Sequence, residues 1–391
     1  MYSFLPAIAL ACAILYANII NAASETLVLT DKSNQQTIKQ THSTFFRSLE
    51  DRGYKLIFKS ADDNSVRLLK HGDLLYDNII LFCPEVDVFR GSLDVKEIVS
   101  FVDEGRDILL VGSNKPGAVI NELAAEVGFE FKERPASKNY SKTKLTQIKH
   151  IVGDAAAYYG LVYSGTSLRM ATSELTLEIL TADEEPRDLL IGATQARNNA
   201  RVLVSGSLDF FSDKAFEASK QANKKLADEL TRWTFKEKAV LRFSDVTHKK
   251  VGETKQPDGY TIMDDIIYKI KIEQYENGEW STYRGDDVQL EFIRIDPFVR
   301  TTMKQDGDYY VAQFKVPDVY GVYKLVVDYK HEGLTYIFSS TQVSVRPLKH
   351  NEYERYIYSA YPYYLSAFLM MVYLYLFSFV FVYYKEKDKN E

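Results

Sequence analysis

From Ile357 to Tyr384 the chain carries no Asp, Glu, Lys, Arg or His, and that stretch limits every architecture open to the rest. Within it, Tyr364–Tyr384 is 21 residues long. As a helix rising about 1.5 Å per residue it reaches roughly 31 Å, the thickness of a bilayer's hydrocarbon core. Eleven of the 21 are Leu, Val or Phe. At about −0.3 to −0.6 kcal/mol each, they favour insertion by roughly 3 to 6 kcal/mol, more than Ser366 and Ser378 oppose. Tyrosines gather at both borders (Tyr361, Tyr363 and Tyr364; Tyr383 and Tyr384), where amphipathic rings sit at headgroup level. The segment is predicted to span a membrane. Lys385, Lys387 and Lys389 follow it and place the tail in the cytosol by the positive-inside rule.

A second apolar run lies at the other end. Met1 to Ser24 has no charged side chain; Phe4–Ile20 is mostly Leu, Ile and Ala, and small residues follow at Ala22, Ala23 and Ser24. This pattern predicts a cleaved signal peptide at 1–23, which leaves the bulk of the chain lumenal and the protein a single-pass, type I membrane protein. Lys387 and Lys389, five and three places from the end of the sequence, resemble the lysine-based retrieval signal of resident endoplasmic reticulum membrane proteins. Such a signal is a receptor-read address, not an anchor. The expected location is therefore the endoplasmic reticulum membrane. Cys12 falls in the leader, so Cys83 is the one thiol expected in the mature chain and no intramolecular disulfide can form. It closes the apolar run Asn78–Cys83 and is expected to be buried and inert. A net charge of −6 offers no basic footprint for nucleic acid.

The expected fold class is α/β. A doubly wound, Rossmann- or flavodoxin-like lumenal domain is followed by an antiparallel β-sandwich domain and one C-terminal transmembrane helix. In 24–236, apolar strands (Thr26–Thr30, Tyr54–Phe58, Asn78–Cys83, Asp107–Val111) alternate with amphipathic helices. One helix carries Ile38, Phe45, Phe46 and Leu49; another, N-capped by Asp94, carries Val95, Ile98, Val99 and Val102; a third carries Ile120, Leu123, Ala124 and Val127. Gly53, Gly105 and Gly128 stand where helices end. Unbroken apolar strands between such helices imply a parallel sheet covered on both faces. Arg201–Phe211 reads as a late strand and its loop, with a helix from about Asp213 to Phe235. In 237–347 the period changes to two. Tyr268, Ile270 and Ile272 alternate with polar residues, Asn277-Gly278 offers a hairpin turn, and Val288–Phe292, Tyr310–Val316 and Tyr323–Tyr329 follow the same rule. A juxtamembrane neck (348–362), the span (363–384) and the tail (385–391) complete the chain.

Chemistry-bearing motifs are scarce. The first strand runs into Asp31-Lys32-Ser33-Asn34, not a dinucleotide-binding glycine motif, and no phosphate-binding loop is present. Val111-Gly112-Ser113-Asn114 reads as a strand-end turn. Ser205-Gly206-Ser207 lacks the nucleophile-elbow spacing. The six histidines (His42, His71, His150, His248, His331, His350) are scattered without a zinc-ligand spacing. Asp306-Gly307-Asp308 has the letters of a metal clamp but sits where a hairpin must turn. Asp62-Asp63, Asp264-Asp265 and Asp286-Asp287 read as solvated loop charges. Asn139-Tyr140-Ser141 is a glycosylation sequon. No catalytic, cofactor-binding or metal-ligating residue is assigned, and no cofactor is expected.

Longer runs are more specific than these motifs. They include Thr41-His-Ser-Thr-Phe-Phe-Arg-Ser-Leu49, Asp51-Arg-Gly-Tyr54, Leu75-Tyr-Asp-Asn78 and Asp287-Val-Gln-Leu-Glu-Phe292. Arg294-Ile-Asp-Pro-Phe-Val-Arg300, Pro317-Asp-Val-Tyr-Gly321, Ser339-Ser-Thr-Gln-Val-Ser-Val-Arg-Pro347 and Ser359-Ala-Tyr-Pro-Tyr-Tyr364 follow in order. With these the chain resembles the 48 kDa subunit family of the oligosaccharyltransferase complex; 132–200 matches least. The resemblance implies a non-catalytic accessory subunit, not itself an enzyme. Its implied neighbours are a polytopic catalytic subunit, two ribophorin-type subunits and a small multi-span subunit. The complex transfers a preassembled glycan from dolichyl diphosphate to the Asn of N-x-S/T. The residues alone leave open a single-pass lumenal enzyme or glycan-binding protein with a site in the α/β domain, or a cell-surface receptor.

Overall fold

The computed structural model describes residues 24–31, 34–132, 138–140, 143–146, 148, 150–153, 158, 160–183, 188–276, 278–355 and 357–385. The expected leader (1–23) and the tail lysines Lys387 and Lys389 lie outside them.

Five strands form a parallel array: β1 (Glu25–Thr30), β2 (Lys55–Ser60), β3 (Asn78–Phe82), β4 (Asp107–Val111) and β9 (Arg201–Ser205), in the order β2-β1-β3-β4-β9. Their apolar residues divide by parity. Val28, Ile80, Leu109 and Leu203 face α1 (Gln35–Thr41), α2 (Ser43–Asp51) and α6 (Ala222–Thr234). Leu27, Leu29, Ile79, Leu110 and Val202 face α3 (Val95–Asp103) and α4 (Ala118–Glu126). A strand buried on both faces has no polar side to show, which is why β3 and β4 are apolar after their first residues. Each fully buried Leu, Ile or Phe contributes about 1.5–3 kcal/mol. Gly53, Gly105 and Gly128 have φ of +95°, +85° and +88°, the left-handed value a helix C-terminus needs.

The all-parallel expectation holds for that half only. Beyond β9 the same ten-stranded sheet continues antiparallel through β8 (Leu189–Gln195), β6 (Leu168–Met170) and β5 (Phe129–Phe131). β7 (Thr176–Ala182) also pairs with β8, and Thr143–Leu145 pairs with β7. Two expected helices are each broken in two. The first divides into α1 and α2 at His42, where φ −119° and ψ 28° leave the helical region. The helix expected over Asp213–Phe235 divides into α5 (Asp213–Ala218) and α6, because Lys220 and Gln221 adopt φ of +50° and +72°.

The second region holds β10 (Val240–Lys250), β11 (Gly259–Thr261), β12 (Asp265–Glu276), β13 (Glu279–Thr282), β14 (Gln289–Ile293), β15 (Pro297–Thr302), β16 (Lys304–Asp306), β17 (Tyr309–Lys315), β18 (Gly321–Tyr329) and β19 (Ile337–Arg346). They make two five-stranded sheets, β10-β12-β17-β16 with β13 on β12, and β11-β19-β18-β14-β15. Tyr268, Ile270 and Ile272 on one sheet and Leu290, Phe292, Leu325 and Val327 on the other share one core. Phe292 meets Phe314 at 5.3 Å between ring centroids and stacks on Tyr323 at 4.4 Å. Asn277 lies outside the described residues, but Glu276 pairs with Glu279 and Gly278 has φ +88°, as the hairpin requires.

That core continues into the first region through a plug, the loop Lys330–Tyr336 between β18 and β19. Trp233 Nε1 donates to Gly333 O (2.8 Å) and Gln195 Nε2 to Leu334 O (2.6 Å). Asn199 grips Tyr336, its Oδ1 accepting from the Tyr336 amide (2.7 Å). From the other side, Thr335 Oγ1 accepts from the Leu241 amide (2.8 Å). The Trp233 and Thr335 bonds are buried and those of Gln195 and Asn199 half-buried, so separating the two regions would leave the buried pairs unsatisfied in apolar surroundings. Finally α7 (Tyr361–Tyr383, with Pro362 in its first turn) is exposed along its length. Among the described residues it is the one helix long and apolar enough to cross a membrane.

Candidate functional site

The carboxyl ends of β1, β3, β4 and β9 open onto a cleft of about 590 Å³. Each strand delivers its next residues there: Asp31 after β1, Glu85 after β3, Ser113 and Asn114 after β4, Ser207 and Asp209 after β9. The chain order reverses between β1 and β3, and loops diverging at such a point leave a crevice. Burial, and then the carboxylates of Glu85 and Asp62, push Asp31 up to about 6. The Asn114 Oδ1 is buried without a hydrogen-bond partner. At the cleft's edge, burial would raise Asp213, but hydrogen bonds from Thr44 and Ser43 outweigh it and leave the carboxyl below its ordinary value. Those bonds, from the amides of Ser43 (3.1 Å) and Thr44 (2.9 Å), cap the start of α2. Four carboxylates at one opening repel a diphosphate and suit hydroxyl donors.

The sequence-level candidates fall as follows. Ser113, Asn114, Gly206, Ser207 and His42 all reach the cleft. Ser207 and His42 make no nucleophile–base pair: Ser207 Oγ donates to Ser164 O, while His42 Nε2 donates to Leu208 O (3.2 Å). Burial holds the His42 imidazole below its ordinary value. Asp306-Gly307-Asp308 is a hairpin turn, with Gly307 at φ +64° and Asp308 accepting from Thr282 Oγ1 (3.0 Å). Asp63 accepts from the Ser65 amide (2.9 Å), and Asp264 pairs with Lys250 (2.6 Å). Cys83 is fully buried, and burial pushes its thiol far up, so it is inert. Asn139 lies in a short strand paired with Tyr163–Gly165; Ser141 of its sequon lies outside the described residues.

Two features escaped the linear reading. His150 and His331, 181 positions apart in sequence, meet edge to face at 5.2 Å beside a cavity of about 430 Å³ that Asp286 and Asp287 also line. Asp287 is engaged by Tyr329, whose hydroxyl donates to it (2.9 Å). Among the described residues no three His, Cys, Asp or Glu side chains are grouped to hold a metal. The other feature is Arg201, a charge at the start of an otherwise apolar strand and fully buried. Its guanidinium donates to Trp233 O (2.6 Å), Lys238 O (3.0 Å) and Ala239 O (2.7 Å), and burial draws it down to about 10. It ties the end of α6 to the first residues of the second region.

Comparison with known proteins agrees with this architecture across its length. The family described as OST48, N-terminal domain, matches residues 17–188 and 186–237, and OST48 middle domain matches 248–385. The dolichyl-diphosphooligosaccharide–protein glycosyltransferase 48 kDa subunit of Drosophila melanogaster is 43% identical, covering 90% of this chain and 90% of that protein. The protein of the same name from Danio rerio is 44% identical (89% of each chain), and that from Caenorhabditis elegans 40% identical (85% and 86%). The chain thus belongs to the family of 48 kDa subunits of dolichyl-diphosphooligosaccharide–protein glycosyltransferase.

Proposed function

We propose that this chain is a non-catalytic subunit of oligosaccharyltransferase, held in the endoplasmic reticulum membrane by α7, with its bulk in the lumen and 385–391 in the cytosol. The observation that carries the reading is the family match, which runs through both folded regions and the helix. In the proposed division, 24–236 is a doubly wound domain and 237–347 a β-sandwich. The strand order β2-β1-β3-β4-β9 supports the first, being that of flavodoxin-like sheets; the two facing five-stranded sheets support the second. Attack by an amide nitrogen on a membrane lipid diphosphate calls for acids and a divalent metal at the bilayer face. The span 363–384 contains only apolar residues, serines and tyrosines. In this reading a polytopic partner performs the chemistry. This chain is a stiff lumenal post beside it, among ribophorin-type and small multi-span subunits.

Depleting the chain is expected to lower sequon occupancy across many glycoproteins and to reduce the partner subunits; normal occupancy with an intact complex refutes the proposal. One observation favours a second reading, in which the cleft binds glycan: its carboxylates and the unpartnered Asn114 oxygen suit sugar hydroxyls. The Asp31→Asn, Asp209→Asn double variant separates the two. Unchanged occupancy supports the pure scaffold; lowered occupancy in an intact complex supports the glycan site.

A further inference from the structure

The two ends of the paired sheets differ in kind. One end presents the plug Lys330–Tyr336 and is consumed by the joint with the first region. At the other end exposed apolar side chains gather: Ile295 is 84% exposed, Tyr320 65%, Val322 54% and Met263 49%. Strand pairing brings their loops together. Gly321 pairs with Val345 and Val322 with Ser344, while Thr261 pairs with Arg346. Arg294, next to Ile295, donates through Nη1 to Tyr320 O (3.4 Å). Gly321 has φ +147°, and a Cβ there would lie 3.2 Å from Arg294 Nε, so these two turns are pressed against each other. Tyr320, Val322 and Met263 flank the last residues of β19, the strand from which the chain leaves for α7, and Ile295 lies at the same end of the sheet beyond β18.

The reach of the chain limits what can lie opposite. Glu352 folds the start of the neck back on β19, accepting from Arg346 Nη1 (3.1 Å) and from the Lys349 amide (2.9 Å). From Tyr353, five residues remain before the 3₁₀ turn Tyr358–Ala360 that opens α7. Fully extended, five residues cover at most roughly 17 Å. A surface tethered that closely to a bilayer, bearing aliphatic and tyrosine side chains among arginines, has the composition of an interfacial anchor. Its arginines can lie along the surface with their charges in the headgroups.

We infer that this end of the paired sheets rests on the lumenal leaflet, with Ile295, Tyr320 and Val322 in the boundary between headgroups and acyl chains. The sheets then stand on the membrane and hold the α/β region and its cleft a strand's length away, roughly 30 Å at about 3.3 Å per residue. The inference rests on reading α7 as a membrane span.

The test uses the full chain, assembled with its partners, in phosphatidylcholine nanodiscs that carry a spin-labelled acyl chain. Single fluorophores are placed through Ile295→Cys, Tyr320→Cys and, at the joint end of β19, Phe338→Cys; the native thiol Cys83 is buried and stays unlabelled. Strong quenching by the lipid-borne label at 295 and 320, with 338 quenched only by aqueous iodide, is the expected result. Iodide quenching at 295 and 320 equal to that at 338 overturns the inference. So does protection from both quenchers, since a protein partner would then cover this end. Extraction of the unsubstituted chain by alkaline carbonate identifies the other failure, that of the span itself.

Discussion

Replacing Arg201 with Met asks whether one buried cation locks the two folded regions together. The guanidinium makes three hydrogen bonds to main-chain carbonyls, at Trp233, Lys238 and Ala239. A hydrogen bond to a charged group is worth about 1.5–3 kcal/mol net, so the three together supply roughly 5–9 kcal/mol. Two terms oppose this. The cation is almost wholly desolvated, and its Nε has no partner; removing both returns several kcal/mol. The carbonyls are also not all orphaned. Trp233 O keeps the Lys236 amide (3.1 Å), and Ala239 O keeps Thr335 Oγ1 (3.1 Å). Met preserves the apolar stem beside Trp233. The balance is a loss of about 2–4 kcal/mol. At about 2–4 °C per kcal/mol for a unit of this size, the midpoint should fall by roughly 4–16 °C. Thermal unfolding of the purified full chain in detergent measures it. Amide exchange over 236–241 should accelerate roughly 100-fold if the local opening costs about 3 kcal/mol less. A midpoint within about 1 °C of the unsubstituted protein, or above it, would falsify the bonding argument and show that desolvation of the cation dominates.

Three further outcomes follow from individual residues. Gly333→Ala should destabilise the joint by about 1–3 kcal/mol, since Gly333 has φ +77° and its new Cβ would lie 2.9 Å from Ile151 Cγ1; a neutral effect in chemical denaturation contradicts the plug geometry. Asp31, raised to about 6 in the folded state, binds its extra proton there between about pH 4 and 6, so stability drops as pH rises through that window. Asp31→Asn should therefore stabilise by about 1 kcal/mol at pH 7, after discounting for partial exposure, and have no such effect at pH 4; equal effects at both pH values would count against a strained carboxylate. Cys83 should resist maleimide in the native chain and react on unfolding, and labelling of the folded protein would disprove its burial.

What the linear sequence disclosed tracks how local each signal is. β3 and β4 are runs of five residues buried throughout, and the alternation of β12 spans Ile266 to Ile272, so their periods declare themselves. β5 and β6 are three residues each, too short to carry a period, and their paired residues are 37 or more positions apart in sequence. Nothing local marks Phe129–Phe131 as a sheet edge. The helix breaks at His42 and Gln221 were equally hidden, because neither residue is a standard helix stopper. The cleft is assembled from four strand ends; its only linear sign is a polar residue, such as Asp31 or Asn114, soon after an apolar strand. Arg201 reads as an ordinary charge at a strand start until α6 is folded over it.

The family assignment and the apolar helix α7 converge on membership of a membrane complex, which isolation in mild detergent tests directly. The tagged full chain, solubilised gently and analysed by mass spectrometry, is expected to bring down a polytopic oligosaccharyltransferase subunit and its companions in near-equal amounts. Recovery of the chain alone, or with unrelated membrane proteins, from a preparation that retains transferase activity would contradict the proposed role.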